Sequence, residues 1–421
     1  MINHDTFTAI LREQIVPVTG RAEPLSIALC AAKAQQVLSM QPTSVSVSVN
    51  GNTLKNVRNV VVPNTNGLTG IRSAVAAGIV CGDAKRGMQV LADLCDEQRE
   101  AVVRFVESTP IDVSCAETEC DPYISVTLYA RTSYVRVVIA NKFTNFVEIM
   151  KNGESLMKRP IEIRKVEDPL DSSILNVHDI FEYACSVDID EIRDLIDMQI
   201  SYNLKFCEEA ISGESHSKIG NIILSEGKTN PKTIAKAYVA AACDARMHGC
   251  EMPVASLCNS GNQGITATVP VVTFAKANDI SGDRLYRALI LSDFLTVYMF
   301  AYAGKQTSVC GSIFAACAAS AAIAYLSGGN EDDVSNALIH TLQLVSGIRC
   351  FGAKPSCAAK IASAVETAHL GYHLSLSDDH VRRQDAIPTE IADNAVRNLE
   401  LLASEALIDP ALTADSAADI S

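Results

Sequence analysis

The chain has 421 residues, 48% of them hydrophobic and 20% charged, a composition that folds around a sizeable core and is not disordered. Its formal net charge is −14, and no run or stripe of Lys and Arg interrupts that acidity, which argues against nucleic acid and anionic membrane as partners. Fourteen cysteines lie scattered without a paired framework, and the start, Met1-Ile-Asn-His-Asp-Thr-Phe7, has no apolar secretory stretch; a reducing cytoplasm is the expected compartment.

Along the chain, the first third mixes helices and strands. Glu23-Pro24 opens a helix over residues 23–40 with a Leu/Ile/Ala face. Residues 43–49 alternate Ser and Val with period two, the pattern of a half-buried strand. Asn50-Gly51-Asn52 reads as a turn, and Val60-Val61-Val62-Pro63 as a second short strand. Helical patterns fill 71–107, and residues 124–128, 134–140 and 145–150 read as an antiparallel meander. Beyond about residue 170, helical patterns follow one another at 188–211, 230–247, 281–303, 330–345, 357–374 and 389–406. The apolar run 308–327 is nearly as long as a membrane span; being Ala-rich and without flanking Lys or Arg, it reads as a buried core helix. The expected fold class is therefore α+β. A mixed α/β domain with an antiparallel sheet spans 1–170, and an all-helical domain spans 171–421.

Three cysteines stand apart from the rest. Cys310, in Thr307-Ser-Val-Cys310-Gly311, sits where the Ala-rich helix begins, and Cys357 opens another apolar helix seven residues after Cys350. A helix N-terminus lowers a thiol pKa through its dipole and free N–H groups, so the expected thiols are anionic. By spacing alone the three read either as core filling or as ligands to a metal cluster with one open position. Cys115 and Cys120 lack a second pair for zinc, and Cys317 lies two helical turns, about 10 Å, beyond Cys310. His369 and His373 lack the Glu of an H-E-x-x-H arrangement and read as helix residues.

Polar motifs complete the inventory. Ser260-Gly261-Asn262-Gln263-Gly264 offers amide donors and close backbone approach just before a helix, and would equally serve as a plain cap. Asp244-Ala-Arg246 closes the preceding helix. Asn52-Thr-Leu-Lys55-Asn56, followed by Pro63-Asn-Thr65, reads as a loop whose lysine is able to hold a carboxylate.

In this order, over about residues 20–403, the motifs resemble the iron–sulfur L-cysteine desulfidases, relatives of the catalytic domain of iron–sulfur L-serine dehydratases. The carriers are Glu23-Pro24, Lys55-Asn56 with Val60-Val-Val-Pro63-x-Thr65, Thr144-Asn145, Asp244-Ala-Arg246-Met247-x-Gly249, Ser260-Gly-Asn-Gln-Gly-Ile-Thr-Ala267, Cys310, and Cys350-x-x-Ala-Lys-x-x-Cys357. The resemblance implies a [4Fe-4S] cluster on Cys310, Cys350 and Cys357. It also implies β-elimination from a small amino acid, with L-cysteine giving pyruvate, ammonia and sulfide. A serine-type or anionic hydroxy substrate is the alternative, and a non-catalytic iron–sulfur sensor a third. By the same resemblance Lys55, Asn56, Asn145, Arg246, Asn262 and Gln263 are candidates for holding carboxylate or amine, with Asn52, Thr65 and Ser260 beside them. A homodimer is expected.

Two positions depart from the family pattern. Where it has Gly-Cys-Thr-Glu-Pro, this chain has Gly20-Arg21-Ala22-Glu23-Pro24, and Phe143 replaces the histidine before Thr144-Asn145. Arg21 cannot act as a base but clamps a carboxylate, so it is expected to favour a substrate with an extra anionic group. Cys258, where a serine is common, is the candidate replacement thiol. Arg21, Lys55 and Cys258 form the expected catalytic set.

Overall fold

The computed structural model describes residues 3–19, 22–92, 94–161, 174–212, 218–227, 229–250, 252–303, 309–350, 356–377 and 392–399. The chain begins with α1 (His4–Gln14) and β1 (Ile15–Thr19). Next come α2 (Ala22–Leu38), β2 (Ser44–Val49), α3 (Gly51–Val57), α4 (Gly70–Cys81), a short 3-10 turn (Ala84–Gln89) and α5 (Asp96–Ser108). Five strands follow: β3 (Ile111–Cys115), β4 (Tyr123–Ala130), β5 (Ser133–Ala140), β6 (Phe146–Lys151) and β7 (Glu154–Lys158).

β2 to β7 build one six-stranded sheet in the order β3-β2-β4-β5-β6-β7, parallel between β2 and β3 and antiparallel elsewhere. The Ser/Val alternation of β2 does what period two requires: Val45, Val47 and Val49 are buried and the serines between them are half-buried. α2 lies on the valine side, where it packs against β4 and β5. α4 packs on α2 closely, because a Cβ on Gly78 would stand 2.2 Å from the Ala28 carbonyl oxygen and one on Gly82 would stand 2.7 Å from Ala32 Cβ. Two local expectations are corrected. Asn50-Gly51-Asn52 is the start of α3, where Asn50 Oδ1 accepts from Tyr123 N–H and Thr53 Oγ1 (3.0 and 2.7 Å), so Lys55 and Asn56 lie on a helix. Val60 to Val62 make only a single bridge, Val61 to Thr69.

The rest is helical: α6 (Val177–Ser186), α7 (Arg193–Ser212), α8 (Lys218–Ser225), α9 (Pro231–Met247), α10 (Gly261–Ala277), α11 (Asp283–Ala303), α12 (Gly311–Leu326), α13 (Glu331–Val345), α14 (Cys357–Ser375) and α15 (Ala392–Arg397), with the strand β8 (Pro253–Leu257) before α10. Asn230 and Asn330 cap α9 and α13 through their side chains. α12, apolar on every side, is the central helix and packs on α10, α11, α13 and α14. Among the described residues α11 is the one helix long and apolar enough to cross a membrane; here Ala288 to Met299 are buried against neighbours that include α6 and α12. Of the predicted helix 389–406, residues 392–397 form α15, and the segment beyond 399 lies outside the described residues.

The chain start belongs to the helical side. β1 pairs antiparallel with β8, Ile15 opposite Leu257 through Thr19 opposite Pro253. Phe7 of α1 stacks within 5.1 Å of both Tyr183 and Phe294 in the helical core. The sheet with its helices has a separate core around α2.

Candidate metal centre

Between β8 and α10 the chain turns in two residues. Leu257 and Ser260 exchange both backbone hydrogen bonds (3.1 and 3.0 Å), and Cys258 and Asn259 between them have φ of 50° and 59°. Two left-handed non-glycine residues in succession cost energy, of a size an ordered neighbourhood must offset. The turn delivers Ser260 as the cap of α10, with its Oγ accepting from the Gln263 N–H at 3.3 Å. Gly264 lets the helix lie directly on β8, since a Cβ there would stand 2.0 Å from the Ala255 carbonyl oxygen. Gly261 makes room for Arg246, which is 8% exposed at the end of α9. Arg246 Nε donates to Asn262 Oδ1 (3.2 Å), and Asn262 Nδ2 donates to Cys243 Sγ (3.3 Å). A fixed guanidinium across a helix N-terminus adds positive charge to a positive dipole end, a setting that suits a carboxylate.

Cys310 and Cys350 meet, with Cys357 near them, although the three come from different elements. A single antiparallel bridge joins Val309 to Arg349, which sets Cys310, the cap residue of α12, beside Cys350. Cys357 is the first residue of α14, and Lys360 one turn on donates to the Arg349 carbonyl at 3.0 Å, tying that helix to the bridge residue beside Cys350. The thiols of Cys310 and Cys350 are hydrogen-bonded, and Cys357 is near enough to act on Cys310 electrostatically. The expected lowering of the thiol pKa is overturned at Cys310. Its hydrogen bond to Cys350, its burial and the neighbouring thiols push it well up, and the opposing hydrogen bond from the Ser312 backbone is outweighed. Cys310 thus resists ionising beside its neighbours; a bound cation removes that conflict, and thiolates are the ligands that soft iron sites take.

Gln263 links this centre to α10. Its side-chain amide lies against Gly311, the residue after Cys310, so closely that a Cβ on Gly311 would stand 2.6 Å from Oε1. Gln263 is 4% exposed and its Nε2 is buried without a hydrogen-bond partner. The close approach at Gly311, a buried amide donor and three neighbouring thiols are a donor set that fits an iron–sulfur cluster.

The other expected residues gather elsewhere. Asn56 Nδ2 donates to Glu23 at 3.3 Å, and Ser26 donates to the Phe143 carbonyl at 2.7 Å, so α3 and the residue that replaces histidine both meet the first turns of α2. Lys55 is exposed on α3. Asn52 bonds Asp121 (2.7 Å) across 69 residues of chain, whereas Thr65 bonds the Val62 carbonyl (2.7 Å) and Asn145 the Ala140 carbonyl (3.0 Å), local ties that hold turns. Arg21 lies outside the described residues. The two groups approach where a Cβ on Gly249, three residues after Arg246, would stand 3.7 Å from Val61. Cys258 is 4% exposed and sits in the helical core beside Asp293, and burial pushes its thiol up. Cys317 is likewise a core residue, and His369 is buried on α14 with Nδ1 on the Val365 carbonyl (3.0 Å). Gly311, as the seat of the Gln263 amide, and Lys360 are the contributors that sequence reasoning missed; close packing and non-local pairing leave no pattern in the chain.

Residues 85–413 match the family profile described as serine dehydratase alpha chain. The chain belongs to that family. Serine dehydratase alpha chains are lyase-type proteins of amino-acid catabolism. Full-length relatives agree in extent. A UPF0597 protein of Desulfitobacterium hafniense is 38% identical over 399 residues, covering 95% of this chain and 93% of the relative. UPF0597 proteins of Finegoldia magna (37% over 407 residues, 95% and 96%) and Lachnoclostridium phytofermentans (36% over 398 residues, 94% and 95%) are similar throughout.

Proposed function

We propose that this protein is a [4Fe-4S]-dependent lyase that eliminates the β-substituent of a small α-amino acid, with L-cysteine, which with water gives pyruvate, ammonia and sulfide, as the leading substrate. The convergence of Cys310, Cys350 and Cys357 carries the proposal. Bound by three protein thiolates, such a cluster supplies an open iron, a Lewis acid with affinity for a departing thiolate or hydroxyl. Arg246 and the N-terminus of α10 hold the substrate carboxylate, with Asn262 fixing the guanidinium. The N-terminal body supplies the remaining contacts: Lys55, exposed on α3, as a cation able to hold a carboxylate and Arg21 as a second clamp. Cys258 is left with a packing role, because its thiol is buried in the α11 core.

Arg21 in place of the family's cysteine favours one other reading, a dehydratase for serine or an anionic hydroxy acid. Anaerobically reconstituted protein tests both on a panel of amino and hydroxy acids, assayed for keto acid and sulfide together. Pyruvate with sulfide from L-cysteine supports the first reading; keto acid without sulfide, from serine or an anionic acid, supports the second. An intact cluster without turnover overturns both and leaves a sensor.

A further inference from the structure

Packing has fixed the amide of Gln263 while its donor hydrogen bonds remain unmade. Its backbone N–H bonds Ser260 Oγ, its side chain is buried, and Nε2 has no partner. A buried bare donor is costly, so folds keep one where a bound group meets it. Gly311 shows which group. A Cβ at that position would stand 2.6 Å from Oε1, 2.8 Å from Cδ and 3.1 Å from Nε2, so any side chain there would drive the amide from the N-terminus of α12. Cys310 is the cap residue of that same helix. The amide therefore rests one peptide from a cluster-binding thiol, kept there by a missing side chain.

We infer that Gln263 is a positioning residue for the metal group: its Nε2 donates a hydrogen bond to a sulfur held at Cys310, either the thiolate or an inorganic sulfide bound with it. The inference rests on the iron–sulfur proposal and deepens it, moving Gln263 from substrate binding to cluster tuning. Hydrogen bonds to cluster sulfurs favour the more negative, reduced state and so raise the potential. An uncharged amide does this without adding a cation that would compete with iron.

Wild type, Gln263→Leu, Gln263→Glu and Gly311→Ala, each reconstituted anaerobically with iron and sulfide, test the inference. Iron and sulfide content, the electron paramagnetic resonance spectrum of the reduced cluster, its midpoint potential and KM are measured on each. Gln263→Leu is expected to bind iron, shift the potential downward, alter the spectrum and lose its cluster to air several-fold faster, with KM nearly unchanged. Gly311→Ala should shift the potential the same way, because its methyl displaces the amide. Should Gln263→Leu fail to fold, Gln263→Glu, of the same shape and without the donor, must still lower the potential. An unchanged potential and spectrum with KM raised roughly tenfold, the size of one hydrogen bond to a charged group, would place Gln263 on the substrate and overturn the inference. Wild type that takes up no iron would refute the iron–sulfur proposal itself, an outcome distinct from wild type and variants that share one potential.

Discussion

The guanidinium of Arg246 occupies the space that a side chain at position 261 would fill: a Cβ on Gly261 would stand 2.5 Å from Arg246 Cζ and 2.6 Å from Nη2. Gly261 is thus a positional requirement of the arginine. Gly261→Ala is expected to push the guanidinium aside and lower kcat/KM roughly 10- to 100-fold, the size of one charged hydrogen bond of about 1.5–3 kcal/mol. Iron content should hold. Steady-state kinetics beside iron analysis decides, and a parallel fall in both would tie Arg246 to the cluster instead of the carboxylate.

The cysteine triad makes a sharper prediction. Cys310→Ser, Cys350→Ser and Cys357→Ser should each lose most of the bound iron, the broad visible absorption and all turnover, because each removes one of the three neighbouring thiols. Cys115→Ser and Cys185→Ser, both at exposed positions, should keep all three. Full iron in any triad variant would remove that residue from the ligand set.

Asp293 predicts a pH dependence of stability. It is fully buried on α11 with Gln199 Nε2 donating to Oδ1 at 2.8 Å, and burial pushes its carboxyl from the ordinary 3.8 up to about 8. The unfolded chain releases this proton near the ordinary value, whereas the folded protein keeps it until about 8. Between the two the native state binds more protons, so rising pH destabilises it by about 1.4 kcal/mol per unit, levelling off above the folded value. Urea denaturation across this range should show wild type losing stability relative to Asp293→Asn. Parallel curves would mean that Asp293 is already ionised in the fold.

Substrate preference should move with Arg21. The residue directly precedes α2, whose Glu23 bonds Asn56 and whose Ser26 bonds the Phe143 carbonyl. Arg21→Cys, which restores the family's thiol, is expected to lower turnover of a substrate with an anionic β-substituent relative to L-cysteine by roughly tenfold or more, as the loss of a charged hydrogen bond implies. Competition assays on the two substrates measure the ratio, and an unchanged ratio excludes Arg21 from selection.

Much of the fold was legible because local signals agreed with tertiary packing. Period-two alternation marked β2 and the β4–β6 meander, and Asn230 and Asn330 marked the starts of α9 and α13. Asn50-Gly51-Asn52 misled because the residues that favour a tight turn also favour a helix start. β1 was invisible: it is short, carries Pro17, and pairs with residues near 255. At the site, the helix-start positions of Cys310 and Cys357 were readable, whereas the Val309–Arg349 bridge that brings in Cys350 is a non-local event. The thiol pKa argument failed at Cys310 for the same reason, since the helix end is local and the opposing thiols arrive through tertiary structure.

The pairing of β1 with β8 constrains how this chain is made. Ile15–Thr19 is synthesised well before its partner, Pro253–Leu257, with the sheet body, which has its own core, between them in the chain. Until then β1 is a free strand edge, open to pairing with another nascent chain. Pro17, opposite Ala255 in the finished ribbon, has no N–H to offer such a stranger. The proline that hid the strand from sequence reasoning also guards it during its wait.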